Sequence, residues 1–362
     1  MTIRLDRIRE LLVARNLDAA IITSATNRRY ATGFTGEDHA PDESAGITVV
    51  AREGAWIFAS PTNLPWVRSE ISDDITPVAW KRPWAASIAD LAIEHGWNAI
   101  GFEDRTTTVA DFYQLTARLQ ETPFTGLGGE VDDLRAVKDA RELVSLREAA
   151  RLTDEAFVRT WEQIAVGMTE REIARLVQGS LRQLGSEGEA FDTIVASGPN
   201  AAKPHHAPGD RPVQEGEPIT IDMGGIVDGY CGDLTRTIWL GHASEQLVTI
   251  YRAVAGAHAR AIPLYRAGAH GREIDGAVRS WFAEQDLGEF FVHGLGHGLG
   301  LRIHEAPSVG PASEDTLAAG HVVSVEPGLY IADWGGVRIE NVVVVTDGEP
   351  EDLTRAPIPT ID

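Results

Sequence analysis

The stretch His293-Gly-Leu-Gly-His297-Gly-Leu-Gly-Leu-Arg-Ile-His304-Glu305 decides how the second half of this chain is read. It places three imidazoles within twelve residues, with glycines where a helix would need side chains. Each glycine costs about 1 kcal/mol in a helix interior relative to alanine, which rules out a helical zinc motif here. No His-Glu-x-x-His is present either. The segment reads as a turn or strand that lets backbone lie close to a crowded site.

Working outward, four carboxylates in the same half sit inside apolar or β-branched runs. Asp222 lies in Ile219-Thr-Ile-Asp-Met, and Asp233 follows Gly229-Tyr-Cys-Gly in the next strand after a turn. Glu326 ends Val322-Val-Ser-Val-Glu, and Glu340 lies inside Val337-Arg-Ile-Glu-Asn-Val. Any one of them alone reads as an edge-strand residue or half of an ion pair. All four together could not stay ionised in buried strands without counter-charge. Two divalent cations would balance them, with His297 completing the shell. Oxygen-rich donors with one imidazole suit Mn²⁺, Co²⁺, Fe²⁺ or Zn²⁺. Paired metals can share and activate a hydroxide at neutral pH.

Composition sets the frame. The 362 residues are 43% hydrophobic and 24% charged, as expected of a soluble protein large enough for two domains. No apolar run approaches the ~20 residues that span a bilayer. The N-terminal segment reads as an amphipathic helix with Leu5, Ile8 and Leu12 on one face. It lacks the apolar core of a signal peptide, so a cytoplasmic address is expected. Cys231 is the single cysteine, which excludes an intrachain disulfide. A net charge of −22 argues against nucleic acid and anionic membrane as partners.

Residues 1–130 alternate short apolar strands with helical patterns, as in a small α/β domain. Gly126-Leu-Gly-Gly129 and the charged stretch after it mark a boundary, leaving 131–362 as the second domain. There, Leu143, Leu146, Ala150, Phe157, Trp161 and Ile164 recur at helical spacing. Thr169-x-x-Glu172 reads as a capping box opening another helix. Long helical patterns cover roughly 244–266 and 272–286, and strands are expected at 193–197, 219–223, 235–240, 322–326 and 337–345. Long helices over a mostly antiparallel sheet make this domain α+β.

Asp222, Asp233, His297, Glu326 and Glu340, in that order and in those local motifs, resemble the M24 metallopeptidases of the pita-bread fold, of the Xaa-Pro aminopeptidase and prolidase type. Asn27-Arg-Arg-Tyr30-Ala-Thr-Gly33-Phe34 resembles an element of that family's creatinase-like N-terminal domain. Ile194-Val-Ala-Ser-Gly-Pro-Asn200, Pro204-His205-His206 and Tyr230-Cys-Gly-Asp233 resemble its catalytic-domain signatures. The resemblance implies an α/β creatinase-like N-terminal domain followed by an α+β pita-bread catalytic domain.

It also implies roles. Asp222, Asp233, His297, Glu326 and Glu340 would hold two divalent metals, manganese (Mn²⁺) first, with Co²⁺ or Zn²⁺ as alternatives. Asp233 and Glu340 would bridge both ions. Glu326 would carry a proton as the bridging hydroxide attacks, and His205 and His304 would stabilise the intermediate or steer that proton. His293 would position substrate. Arg338 shares a strand face with Glu340 and is expected to support a ligand, with Tyr230 as a further candidate. His206 reads as solvated or structural; Cys231, two residues before Asp233, falls on the ligand face by alternation, but the matching family position is commonly a small residue, which argues against metal ligation.

The activity implied is removal of the residue before proline in short proline-containing peptides, by a homodimer. A dipeptidase is the nearest alternative, and the sequence His304-Glu-Ala-Pro-Ser308 lacks the arginine by which some prolidases hold a dipeptide carboxylate. Hydrolysis of a small non-peptide amide, or a binding role without catalysis, are the other readings.

Overall fold

The computed structural model describes residues 2–40, 43–81 and 83–361. The chain divides into two compact units, Met1–Arg135 and Ala136–Asp362.

In the first unit, helix α1 (Thr2–Ala14) fully buries Leu5, Ile8 and Leu12, the face expected from their spacing. A six-stranded mixed sheet follows. Its strands are β1 (Ala19–Ile22), β2 (Ile47–Ala51), β3 (Ala55–Ala59), β4 (Thr76–Ala79), β5 (Ile100–Phe102) and β6 (Phe124–Gly126), in the order β4-β3-β2-β1-β5-β6. Central β1 is apolar throughout because both faces are covered. Pro77 falls on the edge strand β4, where a missing N–H is tolerated. Around the sheet lie α2 (Ala25–Thr32), α3 (Leu64–Glu70), α4 (Trp84–His95), α5 (Val109–Arg118) and α6 (Glu130–Ala136). The tyrosine-containing motif at Asn27 forms α2, opened by the Ser24 hydroxyl and closed by Gly33 in the left-handed region.

The second unit begins with α7 (Ala140–Trp161) and α8 (Glu170–Gln183), each opened by a capping box, Asp139/Glu142 and Thr169/Glu172. Strands β7 (Ile194–Ser197) and β8 (Ile219–Met223) pair antiparallel. After the small hairpin β9 (Ile226–Val227) and β10 (Tyr230–Cys231), β11 (Leu234–Ile238) completes a three-stranded sheet on the other side of β8. Helices α9 (Glu245–Ala261) and α10 (Gly271–Ala283) come next. A five-stranded sheet is built from β12 (Gly296–Gly298), β13 (Glu305–Val309), β14 (Val322–Val325), β17 (Asn341–Val344) and β18 (Glu351–Asp352). The hairpin β15 (Gly328–Ile331) and β16 (Gly335–Arg338) stands apart from it.

The strand expected at 337–345 is two strands. β16 pairs with β15, while β17 pairs with β14 in the larger sheet. Chain and partner change sheets together, at Ile339-Glu340 and at Glu326-Pro327. The backbone N–H of Glu340 donates to Thr235 (3.0 Å) and that of Glu326 to Leu295 (2.9 Å), outside either ladder. Both glutamates therefore sit at corners, where a side chain can leave the sheet plane. Among the described residues no helix is long and apolar enough to cross a membrane.

Candidate active site

A cleft of about 1080 Å³ in the second unit gathers Asp222, Asp233, His297, Glu326 and Glu340, together with His205, His293, His304 and Arg338. β8 delivers Asp222, the entry to β11 delivers Asp233, and the two corners deliver Glu326 and Glu340. Asp233, His297 and Glu340 each bring a donor atom within 4.8 Å of the others.

His297 reaches this point because glycines flank it. A Cβ on Gly296 would lie 2.1 Å from the Ser324 carbonyl, and one on Gly298 would lie 2.1 Å from that of Ala306. Only glycine lets β12 lie this close to both neighbours. The Nδ1 of His297 is 3.2 Å from the Gly298 carbonyl, which can only accept, so Nδ1 carries the proton. Its Nε2 lone pair then faces Glu326 Oε1 at 3.3 Å and Asp233 Oδ2 at 3.7 Å. Burial holds the imidazole below its ordinary pKa and so neutral.

Burial and mutual repulsion shape the electrostatics of these acids. Burial, then the charges of Glu340, Asp222 and Glu326, push Asp233 well above the carboxylate range. Burial, then Glu326 and Asp222, do the same to Glu340. Glu326 is pushed up to about 7, chiefly by burial. Asp222 Oδ1 is buried without a hydrogen-bond partner among the described residues. A lone pair facing two carboxylates, an orphaned carboxylate oxygen and mutually repelling acids all fit divalent metal ions.

Neighbouring side chains hold the acids in place. Arg338 donates to Asp222 Oδ2 (2.5 Å), Thr235 Oγ1 (3.1 Å) and the Tyr330 hydroxyl (2.8 Å). Thr235 donates to Glu340 (2.7 Å), and Ser324 to Glu326 (3.1 Å). The Tyr330 hydroxyl lies 2.9 Å from His293 Nε2, and His293 Nδ1 lies 2.6 Å from the Gly294 carbonyl. Nδ1 thus donates and Nε2 accepts from Tyr330. Burial lowers His293 to about 4, consistent with that neutral form. His304 packs edge-on against His297, with ring centroids 4.4 Å apart. His205 is exposed on the cleft wall.

One expectation is corrected. Tyr230 is not among the residues lining the cleft. Its hydroxyl donates to Glu142 at 2.9 Å, and its ring packs with Leu146, Leu299 and Val342. His206, read as solvated or structural, is tied to the wholly buried Glu170 with Nε2 2.8 Å from Oε2, and its ring also lines the cleft.

The sequence reading missed Tyr330, Thr235, Ser324 and Glu170. Thr235 and Ser324 each lie two residues from an acid, so strand period could have flagged them. Tyr330 carries no such signal. Glu170 is wholly buried at the start of α8. It accepts from Ser197 N (2.9 Å), Ser197 Oγ (2.8 Å), Asn200 (3.0 Å) and Gly209 N (3.1 Å), besides His206. In sequence it reads as an ordinary first-turn acid.

Residues 144–347 match metallopeptidase family M24, and residues 4–137 match the creatinase/prolidase N-terminal domain. A solved Xaa-Pro dipeptidase from Bacillus anthracis is 32% identical, with a TM-score of 0.93 over 99% of each chain. An X-Pro aminopeptidase structure from Thermotoga maritima is 31% identical, with a TM-score of 0.88 over 98% of each. The uncharacterized peptidase YqhT of Bacillus subtilis is 32% identical over 98% of each chain. With this cleft and these matches across both units, the chain belongs to metallopeptidase family M24 and has its pita-bread catalytic fold behind a creatinase-type N-terminal domain.

Proposed function

We propose that this chain hydrolyses the bond between an N-terminal residue and a following proline in short peptides, as an Xaa-Pro aminopeptidase. The observation that carries the reading is the convergence of Asp222, Asp233, His297, Glu326 and Glu340 in one cleft, with the His297 lone pair facing carboxylates. These five would hold two divalent metals, which would supply counter-charge to the buried acids. When bound, the metals supply a nucleophile at neutral pH and polarise the scissile carbonyl. Glu326 accepts the proton released in the attack and returns it toward the imino nitrogen. His205 and His304 face the cleft as donors for the developing oxyanion. His293, oriented by Tyr330, positions substrate, and Arg338 fixes Asp222. A peptide bond before proline offers no N–H, so recognition rests on the residues around it.

The cleft, at about 1080 Å³, has room beyond a dipeptide, which supports the aminopeptidase form. A strict Xaa-Pro dipeptidase is the second reading, favoured by the similarity to the B. anthracis enzyme of that name. The oxygen-rich donor set favours manganese. The single cysteine suits a cytoplasmic setting, and the family resemblance supports a homodimer. The test is cleavage of Xaa-Pro, Xaa-Pro-Yaa and Xaa-Ala-Yaa peptides by protein stripped with chelator and reloaded with Mn²⁺, Co²⁺ or Zn²⁺. Metal-restored release of the first residue from Xaa-Pro-Yaa is expected. Cleavage of Xaa-Pro alone selects the dipeptidase, and no cleavage of any peptide despite bound metal overturns the proline-peptide reading.

A further inference from the structure

We infer that the outer wall of the cleft, formed by the first turns of α8, is a carboxylate subsite in which Arg175 receives the C-terminal carboxylate of the peptide. Arg171, Ala174, Arg175 and Gln178 all line the cleft, and their spacing puts them on one face of α8. The opposite side of the helix, Ile173, Val177 and Leu181, is locked into the core, so this face cannot rotate away. The wall is anchored to the histidine loop: Arg171 N donates to the Gly209 carbonyl (3.0 Å), and Glu170 holds His206 and Gly209.

Among the described residues three arginines line the cleft, and two have partners. Arg338 is buried on Asp222 and Tyr330. Arg171 meets Asp210, itself 83% exposed, in a surface pair that holds weakly. Arg175 is exposed and has no hydrogen bond or ion pair among the described residues, with only a weak charge interaction with Glu172 on the same helix. Arg211, the other arginine of this region, faces Glu217 through two 2.6 Å bonds and does not line the cleft.

The cleft is thus bipolar. Its deep end holds Asp233 and Glu340, almost wholly buried, and its open wall carries the exposed guanidinium groups of Arg171 and Arg175 against the one exposed acid Asp192 among the described lining residues. A short free peptide has the matching polarity, an ammonium at one end and a carboxylate at the other. With its N-terminal residue at the acidic end, a tripeptide extends roughly 10 Å outward. The planar fork of an unpaired arginine suits the carboxylate it presents there.

This subsite presupposes the Xaa-Pro reading above. The experiment compares Xaa-Pro-Yaa with a free C-terminal carboxylate and with a C-terminal amide, on metal-loaded wild type, Arg175→Gln and Arg175→Lys. Wild type is expected to favour the free acid by about ten-fold in kcat/KM, mainly through KM, the effect of one exposed charge-assisted hydrogen bond. Arg175→Gln should bring the acid down to the amide's level and leave the amide unchanged, and Arg175→Lys should keep part of the preference. Equal cleavage of acid and amide by wild type, or an equal loss on both in Arg175→Gln, overturns the subsite and leaves the Xaa-Pro reading standing. A wild type that cleaves neither overturns both.

Discussion

The Arg338 guanidinium lies 2.5 Å from Asp222 Oδ2, while the other oxygen of Asp222, Oδ1, is buried without a partner among the described residues. One oxygen is held by the protein, and the other would meet a cation in the metal site proposed above. The same arginine also donates to Thr235, which donates to Glu340, so two acids share one chain of hydrogen bonds.

Arg338→Lys is therefore expected to loosen metal binding even though charge is kept, because a point charge cannot replace three directed donors. Manganese affinity, read by isothermal titration, should fall about 10–100-fold. An unchanged affinity would show that Arg338 does not orient Asp222.

The pH response of metal-free protein follows from Glu326. Its folded pKa is raised from 4.5 to about 7, chiefly by burial. A raised acid contributes its full stability below the unfolded value and loses it as pH rises through the folded one. Glu326→Gln removes that loss. In chelator, the melting temperature of the variant minus that of wild type should grow from mildly acid to mildly alkaline pH. A flat or shrinking difference contradicts the assignment.

Glu170→Gln should disturb the 197–209 loop, because an amide cannot accept all the donors that the carboxylate does. Unsatisfied buried donors predict a loss of ~1–3 kcal/mol in denaturant unfolding. The loop also carries His205, so kcat should fall further than KM rises while metal content, read by elemental analysis, stays at the wild-type level. Loss of metal would point to general collapse instead.

Gly296→Ala puts a methyl 2.1 Å from the Ser324 carbonyl, which must force β12 away from β14 and carry His297 with it. Overpacking of this kind costs about 1–3 kcal/mol. Thermal unfolding and manganese titration should both weaken, whereas Gly276→Ala, on α10 with open space around it, should leave both near wild type.

The local sequence determined what depends on period and on caps. The helix faces at Leu5, Ile8 and Leu12 and along α7, the capping box at Thr169, and the apolar strands around Asp222 and Glu326 all follow from short-range patterns. The motif order of the acids and His297 carried the family, because few backbones need those residues in that sequence. Short segments such as α3, β4 and β6 carry too little periodicity to be delimited from sequence. Only the tertiary structure split 337–345 into two strands, placed Glu326 and Glu340 at matching corners, and took Tyr230 away from the cleft. It also joined Arg338 to Asp222 across 116 positions of chain and turned His206 and Arg175 toward the same cleft. Such pairings are chosen by which sheets pack and where strands leave them, so no local pattern encodes them.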